Sequence, residues 1–388
     1  MVAGNFRPWD GNFEPWNESN GGEDFIVFPG GRFGAWGDRI FIKRKNSLTD
    51  HAQFNFTVSL LQKLAQKDKS IILSPLSVST SLFMTYLAAD GKTKQQLEDV
   101  LGGTASTAEV RLHFAKLLAT IENVENENYI LRLTNRFYVR QEFRTKESFI
   151  RTLQYYYNEK LYNFNYGEKY KFVQEINKWI SGKTNNKITE LITADSVSDD
   201  IKMLLLNAIH FSGTWKTQFM KDVTMMVTTY VIPYFEDDFV QVVKMPYVGN
   251  EIEMVFILPK IRFGLSNVLQ NLTGSDLVKY IHNAKLTLSS TRIERKTEFK
   301  KTLANIGITD AFSTAANFKE LTKDKISVGS IIHAGFIAVD EKGTESAAAT
   351  KFDLIDRISL LKYFHVDQPF LFAIVKGLKT ILFAGQFA

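Results

Sequence analysis

The sequence predicts an α+β protein built as one large domain, and three observations carry that expectation. Helix-period spacing of apolar residues comes early and strand-like runs come late, with none of the regular alternation that marks a βαβ fold. No linker rich in Pro, Gly or Ser interrupts the chain after residue 46, so residues 46–388 are expected to form one large domain rather than two ordinary ones. Apolar residues make up 45% of the chain and include 31 Phe, ample for a substantial core.

The elements follow in order. From Leu48 to Gln66 the spacing is helical, with Phe56, Leu60 and Leu61 marking a buried stripe. A second helix starts after Pro75, where Ser74 and Ser77 can cap backbone amides. Leu97 to Leu101 and Val110 to Ile121 read as two more. Strands are expected over Leu204–Phe211, Phe239–Lys244, Glu253–Leu258, Leu286–Leu288, Phe370–Val375 and Thr380–Phe387.

Residues 1–45 read differently, as a Trp- and Gly-rich extension without helical periodicity. They hold Trp9, Trp16 and Trp36 of the five Trp, and Phe6-Arg7-Pro8-Trp9 recurs as Phe13-Glu14-Pro15-Trp16. A flexible tail is the plain expectation, and a docking arm presenting both rings to one surface is the sharper one.

Composition removes several chemistries. There is no Cys, hence no disulfide, thiol nucleophile or Cys-ligated metal. The six His never fall at metal-ligand spacing. No Gly-x-Ser-x-Gly elbow, His-Glu-x-x-His pair or phosphate-binding loop is present, and Gly30-Gly31-Arg32-Phe33-Gly34 lacks a flanking strand and helix. Neither an enzyme nor a resident metal or cofactor is expected. Net charge is +5, from 47 basic and 42 acidic residues, which permits a polyanionic partner without demanding one. No nucleic-acid partner is expected. No apolar run reaches transmembrane length, and Met1–Phe6 carry no signal-peptide core. Asn17, Asn55 and Asn271 begin glycosylation sequons.

The stretch Glu341-Lys342-Gly343-Thr344-Glu345-Ser346-Ala347-Ala348-Ala349-Thr350 is the most informative in the chain. Gly343 can turn the backbone without steric cost. As an extended strand, Thr344, Ser346, Ala348 and Thr350 share one face, while Glu345, Ala347, Ala349 and Lys351 share the other. The first face is small enough to slide between existing strands. So much Ala reads equally well as a helix, and the stretch alone leaves both open.

The surrounding motifs resemble the serpin family. Phe364 to Phe372 and Ile381 to Gly385 are similar to its closing strands. Ser74-Pro75-Leu76-Ser77, Thr134 to Val139, Ile176-Asn177-Lys178-Trp179-Ile180, Leu206 to Trp215, Met245-Pro246-Tyr247 and Ile257-Leu258-Pro259 resemble further family segments in the same order. The likeness spans residues 46–388. It implies a serpin fold: a large, mainly antiparallel central sheet, two smaller sheets, eight to nine helices and an exposed reactive loop.

The resemblance also implies the site. Family members place the scissile bond fourteen residues beyond the hinge Gly, which makes Arg357-Ile358 the expected bait for a trypsin-like serine protease with Arg preference. Glu341 and Gly343–Thr350 match the loop hinge. Ser74, Ser77, Asn207 and His333 match a polar cluster that re-pairs when the sheet opens, although a lone His beside apolar strand residues is ordinarily a satisfied core group. Lys285, Arg292, Arg295, Lys296, Lys300 and Lys301 are candidates for a heparin-like glycosaminoglycan, against the ordinary reading of a solvated face. The chain is expected to be an extracellular monomer of arthropod or insect-like type, acting as a suicide inhibitor. A non-inhibitory binding or carrier role is the alternative. It is favoured by a chain shorter than typical members between Phe219 and Val223, and by Ser290 where inhibitors place a Lys opposite the hinge acid.

Overall fold

The computed structural model describes residues 47–65, 69–121, 124–125, 127–216, 233–286, 306–337, 364 and 366–388. All of them belong to one compact unit, Lys45–Ala388. The 1–45 extension and Asn17 lie outside the described residues.

Helix α1 (Leu48–Leu64) begins at Ser47, whose hydroxyl accepts from the Asp50 amide while the Asp50 carboxylate accepts from the Ser47 amide. It stops two residues before the expected Gln66, because Ala65 turns to extended backbone. Phe56, Leu60 and Leu61 are buried as the stripe predicted. Strand β1 (Ile71–Leu73) leads into α2 (Pro75–Ala88), with Ser74 accepting from the Ser77 amide and Pro75 in the first turn. Then come α3 (Gly91–Gly102) and α4 (Thr107–Ile121). Helix α4 starts earlier than its apolar stripe suggests, because Ser106 and Glu109 cap each other's amides.

All fourteen residues of α2 are buried, including Ser77, Ser79, Thr80, Ser81 and Thr85. Their hydroxyls are satisfied largely within the helix: Ser79 donates to the Leu76 carbonyl at 3.0 Å, Thr80 to Ser77 at 2.9 Å and Thr85 to Ser81 at 3.1 Å. Small hydroxyl side chains closed on their own backbone let a helix run through a core at little polar cost.

Two sheets pack around α2. One is five-stranded. Its main path is β10 (Val328–Ile337), β5 (Met203–Gly213), β3 (Tyr129–Arg140) and β2 (Val124–Glu125), with β4 (Tyr162–Phe164) also paired to β3. The other is seven-stranded and antiparallel throughout. It runs β1, β12 (Thr380–Phe387), β11 (Phe370–Lys376), β8 (Ile252–Pro259), β7 (Val240–Pro246), β6 (Pro233–Glu236) and β9 (Lys285–Leu286). Strand β7 starts one residue after the expected Phe239, since Asp237 accepts from the amides of both Phe239 and Val240 and holds them in a turn.

Helices α5 (Glu147–Tyr157), α6 (Lys169–Lys183), α7 (Leu265–Asn271) and α8 (Gly274–Asn283) complete the eight α-helices among the described residues. None is long and apolar enough to cross a membrane. The helix count and the mainly antiparallel sheets agree with the α+β serpin fold expected from sequence, with the strands of the described residues joined into two sheets where three were expected. Elements that periodicity did not single out, such as α5, α7, α8, β1, β4 and β6, are short or lie in mixed sequence.

The largest core lies between helices α1–α5 and the two sheets, with Phe83 of α2 stacked on Phe114 of α4 at 4.5 Å. A second core joins Leu131, Leu133, Ile209 and Phe211 of the five-stranded sheet to Met245, Met254, Phe256, Phe370 and Phe372 of the other. The outer face of the five-stranded sheet is covered by α6, with Phe172, Ile176 and Ile180 set against Leu204, Leu206 and Ala208. Strand β5 is therefore buried on both faces, which explains its nearly unbroken apolar run.

Gly385 marks the tightest approach in this packing. A Cβ there would stand 2.1 Å from the Ile71 carbonyl oxygen and 2.6 Å from the Phe372 ring. Gly385→Ala is expected to destabilise the fold by about 3 kcal/mol or more, read as a lower urea midpoint with an unchanged slope.

Candidate functional site: a parallel seam over a buried polar layer

Strands β5 and β10 run parallel and are directly paired, from Ile331 opposite Leu205 to Ile337 opposite Phe211. This is the exceptional joint of the two sheets, since only the short β3–β4 pair shares its sense. A strand entering between β5 and β10 would run antiparallel to both. The chain leaving Ile337 is the one that carries the hinge, and it returns to described structure at Phe364, which is buried.

Beneath the seam lies a layer of polar side chains in the core. Asn207 of β5 is wholly buried, and its Nδ2 donates to the Ser77 carbonyl at 2.9 Å and to Asn135 Oδ1. The same Oδ1 accepts from Ser81 at 3.2 Å and from Thr80 at 3.5 Å. The Ser74 hydroxyl donates to the Leu382 carbonyl of β12 at 2.5 Å while accepting from the Ser77 amide. His333 sits in β10 directly opposite Asn207, and its side chain lies outside the described residues. Of the four residues expected in the cluster, Asn207 reaches Ser77 at its backbone carbonyl and Ser74 accepts from the Ser77 amide. Ser74 ties the start of α2 to the second sheet, and His333 is placed at the matching rung.

Asn135 is the acceptor that sequence reasoning missed as a site residue. The signal was available. Tyr129, Leu131, Leu133, Phe137 and Val139 form one buried face of β3, and Asn135 is the polar residue in their midst. Such a side chain needs partners, and the hydroxyls of α2 with Asn207 provide them.

The upper end of β5 is tied to the second sheet by aromatic rings. Trp215 stacks on Tyr247 at 4.2 Å and Phe211 meets Tyr247 edge-on at 5.0 Å. Between them a Cβ on Gly213 would come within 2.9 Å of both Phe211 and Tyr247. Burial pushes the Tyr247 hydroxyl far above its ordinary pKa, so it stays neutral.

On the outer face, Arg136 of β3 lies between two rings, 4.2 Å from the centre of Tyr162 and 4.2 Å from that of Trp179 on α6. Its Nη1 donates to the Tyr138 hydroxyl at 3.2 Å. A cation held between aromatic faces in a partly dry site is worth ~1–2 kcal/mol, and here it fastens α6 to the sheet. Asn177 locks the chain after α6 by accepting from the Leu191 and Ile192 amides and donating to the Ile192 carbonyl.

Glu341, the hinge Gly343, Thr344, Glu345, Ser346, Ala347, Ala348, Ala349 and Thr350, and the bait bond Arg357-Ile358 all lie outside the described residues. So do Arg292, Arg295, Lys296, Lys300 and Lys301, and of Lys285 only the backbone in β9 is described. Asn55 is exposed on α1, close to Gly274. Asn271 is exposed at the end of α7, with its Nδ2 donating to the Asn267 carbonyl at 2.9 Å. Among the described residues no group of three His, Cys, Asp or Glu is placed to hold a metal ion.

Comparison with known proteins agrees with this architecture. The family model for Serpin (serine protease inhibitor) matches residues 51–388. Serpin B6 of Pongo abelii is 30% identical over 370 residues, covering 87% of this chain and 98% of that protein. An uncharacterized serpin-like protein of Methanosarcina acetivorans is 28% identical over 363 residues, covering 85% of each. The native-state crystal structure of the thermophilic serpin tengpin superposes with a TM-score of 0.79 at 25% identity, covering 89% of this chain and 95% of that one. Relatives thus come from an archaeon and a primate alike. A parallel seam over a buried Asn–Ser layer, and a match across most of the sequence, place this chain in the serpin family.

Proposed function

We propose that the chain is a suicide inhibitor of a trypsin-like serine protease. The protease's serine attacks the Arg357 carbonyl, the bond to Ile358 breaks, and an acyl-enzyme forms. The freed segment from Thr344 onward then enters between β5 and β10 and carries the protease with it. Support for this reading comes chiefly from one observation: β5 and β10 are paired in parallel, in the uninserted arrangement. Insertion replaces one parallel interface with two antiparallel ones, which are slightly more stable per residue. It also buries the Thr344, Ser346, Ala348 and Thr350 face over α2. The uninserted form is then held by a barrier rather than by being the lowest state.

The same reading makes the protein an extracellular monomer of insect-like type, with Asn17, Asn55 and Asn271 as glycan acceptors. Lys285, Arg292, Arg295, Lys296, Lys300 and Lys301 serve as its heparin-like contact. A carrier role is distinguished by stability. An inserting loop raises the melting temperature by roughly tens of degrees on cleavage, whereas a carrier that gains no strand shows no rise.

Three outcomes test the mechanism. Arg357→Ala is expected to abolish the detergent-stable complex with trypsin while leaving the far-UV spectrum unchanged; equal inhibition by this variant would show that the bait lies elsewhere. Thr344→Arg brings an unpaired charge to the core face at a cost of several kcal/mol, and should convert the inhibitor into a substrate that is cleaved and released. Asn135→Ala removes the acceptor shared by Asn207, Ser81 and Thr80. It should cost about 1–3 kcal/mol in urea unfolding of the intact chain.

A further inference from the structure

The start of α1 belongs to a cluster of three titratable side chains that loop insertion does not use. Asp50 sits in the first turn of α1, His113 within α4, and Lys379 in the turn before β12. His113 Nδ1 lies 3.8 Å from Asp50 Oδ1, and Lys379 Nζ lies 3.4 Å from Asp50 Oδ2. The same Oδ2 accepts from the Ser47 amide at 2.8 Å, so the carboxylate is fixed by its part in the capping box. The side chains of His113 and Asp50 are only 16% and 12% exposed. Three elements far apart in sequence thus meet over one partly buried carboxylate.

His113 is the unusual member. Its Nε2 is buried and has no hydrogen-bond partner among the described residues. The ring meets Phe114 edge-on at 5.2 Å, and it lines a cavity of about 20 Å³ with Gln53, Thr57, Leu117, Lys379 and Thr380. A neutral imidazole occupies this place at modest cost. A protonated one brings a charged N–H without an acceptor, and it competes with Lys379 for a carboxylate already engaged. Burial, opposed in part by the Asp50 charge and reinforced by that of Lys379, holds the imidazole below its ordinary value. Among the described residues, the charges facing the ring are Asp50 and Lys379. Helix α2 brings only Pro75 and Leu76 to the cavity, and β12 only Thr380 and Ile381. His51 of α1 and Glu109 and Lys116 of α4 are exposed. A His that binds protons less readily in the folded than in the unfolded chain contributes stability above its ordinary value of about 6.5, and that stability is lost as the pH falls below it.

We propose that Asp50, His113 and Lys379 form an acid-released clasp between α1, α4 and the turn before β12. With the imidazole uncharged the three elements close on one another. In mild acid the protonated ring and Lys379 stand as two cations over one carboxylate, and α4 loosens from the other two. The effect reaches toward the seam. Farther along α4, Leu118 lines a second small cavity with Leu133 and Asn135 of β3 and Tyr157 of α5, so the helix held by the clasp also borders the buried polar layer.

The test uses the full chain as wild type, His113→Gln and Lys379→Gln. In NMR spectra of the imidazole protons, the resonance lost in His113→Gln identifies the ring. It should titrate below the ordinary His range in the wild type, and at a higher pH in Lys379→Gln. Amide hydrogen exchange across α4, corrected for intrinsic exchange rates, should rise roughly threefold or more between about pH 7.5 and about pH 5 in the wild type. That rise should be absent in His113→Gln and smaller in Lys379→Gln, where the protonated ring has Asp50 to itself. Should His113→Gln fail to fold, the exchange comparison with Lys379→Gln carries the reading. An acid rise across α4 that persists in full in either variant overturns the clasp, as does a ring that titrates alike in wild type and Lys379→Gln. Either result leaves loop insertion untouched, since cleavage at Arg357 is not part of the measurement.

Discussion

The parallel ladder between β5 and β10 is the constraint on which the rest of the structure depends. Its two strands are separated in sequence by most of the second sheet, so no local turn holds them together. What holds them is their own backbone hydrogen bonds and the burial of β5 on both faces. By geometry alone, a strand placed between two parallel neighbours runs antiparallel to both, so such a joint offers room for one further strand without reversing either. The antiparallel pairs around it offer no such vacancy, since a strand placed between two antiparallel neighbours must run parallel to one of them.

Polar groups beneath the ladder make the closed state specific. Asn207, Asn135 and the hydroxyls of α2 are buried where an unpaired group costs about 1–3 kcal/mol. Each therefore constrains the others. Helix α2 can serve as the floor because its Ser and Thr side chains are small and return their hydrogen bonds to its own backbone. A floor of Leu and Phe would grip the strands above it through interdigitated packing.

The two faces of the sheet are fastened by different physics. On the inner side, aromatic stacking of Trp215, Tyr247 and Phe211 ties the end of β5 to the second sheet. On the outer side, Arg136 between Tyr162 and Trp179 ties α6 to β3 and β4. The second fastening joins elements on the same side of the seam. Helix α6, β3, β4 and β5 thus form one packed block on one side of the seam with β10.

Much of the fold was readable from residue order alone. Periodicity located α1, α4 and the strands β5, β7, β8, β11 and β12 to within a few residues, because burying one face or both imposes a regular pattern, whereas it found only the second half of α3, which starts at Gly91. Ser74 was legible as a cap because an N-terminal amide needs an acceptor. The serpin motifs then supplied the architecture, and the pairing of β5 with β10 sets Asn207 and His333 at facing rungs. Asn135 was not assigned to the site, although its position on an apolar face was visible. Its role depends on Asn207, Thr80 and Ser81, which lie at distances in sequence that no local pattern spans. The pairing of Arg132 with His210 across β3 and β5 was likewise invisible, since a cross-strand pair exists only once register is set, and register is decided by the packing of whole strands. Composition and spacing determined which segments are helix or strand and which face each one buries; tertiary structure decided which polar and charged side chains meet, because those meetings follow from long-range pairing that carries no short-range signature.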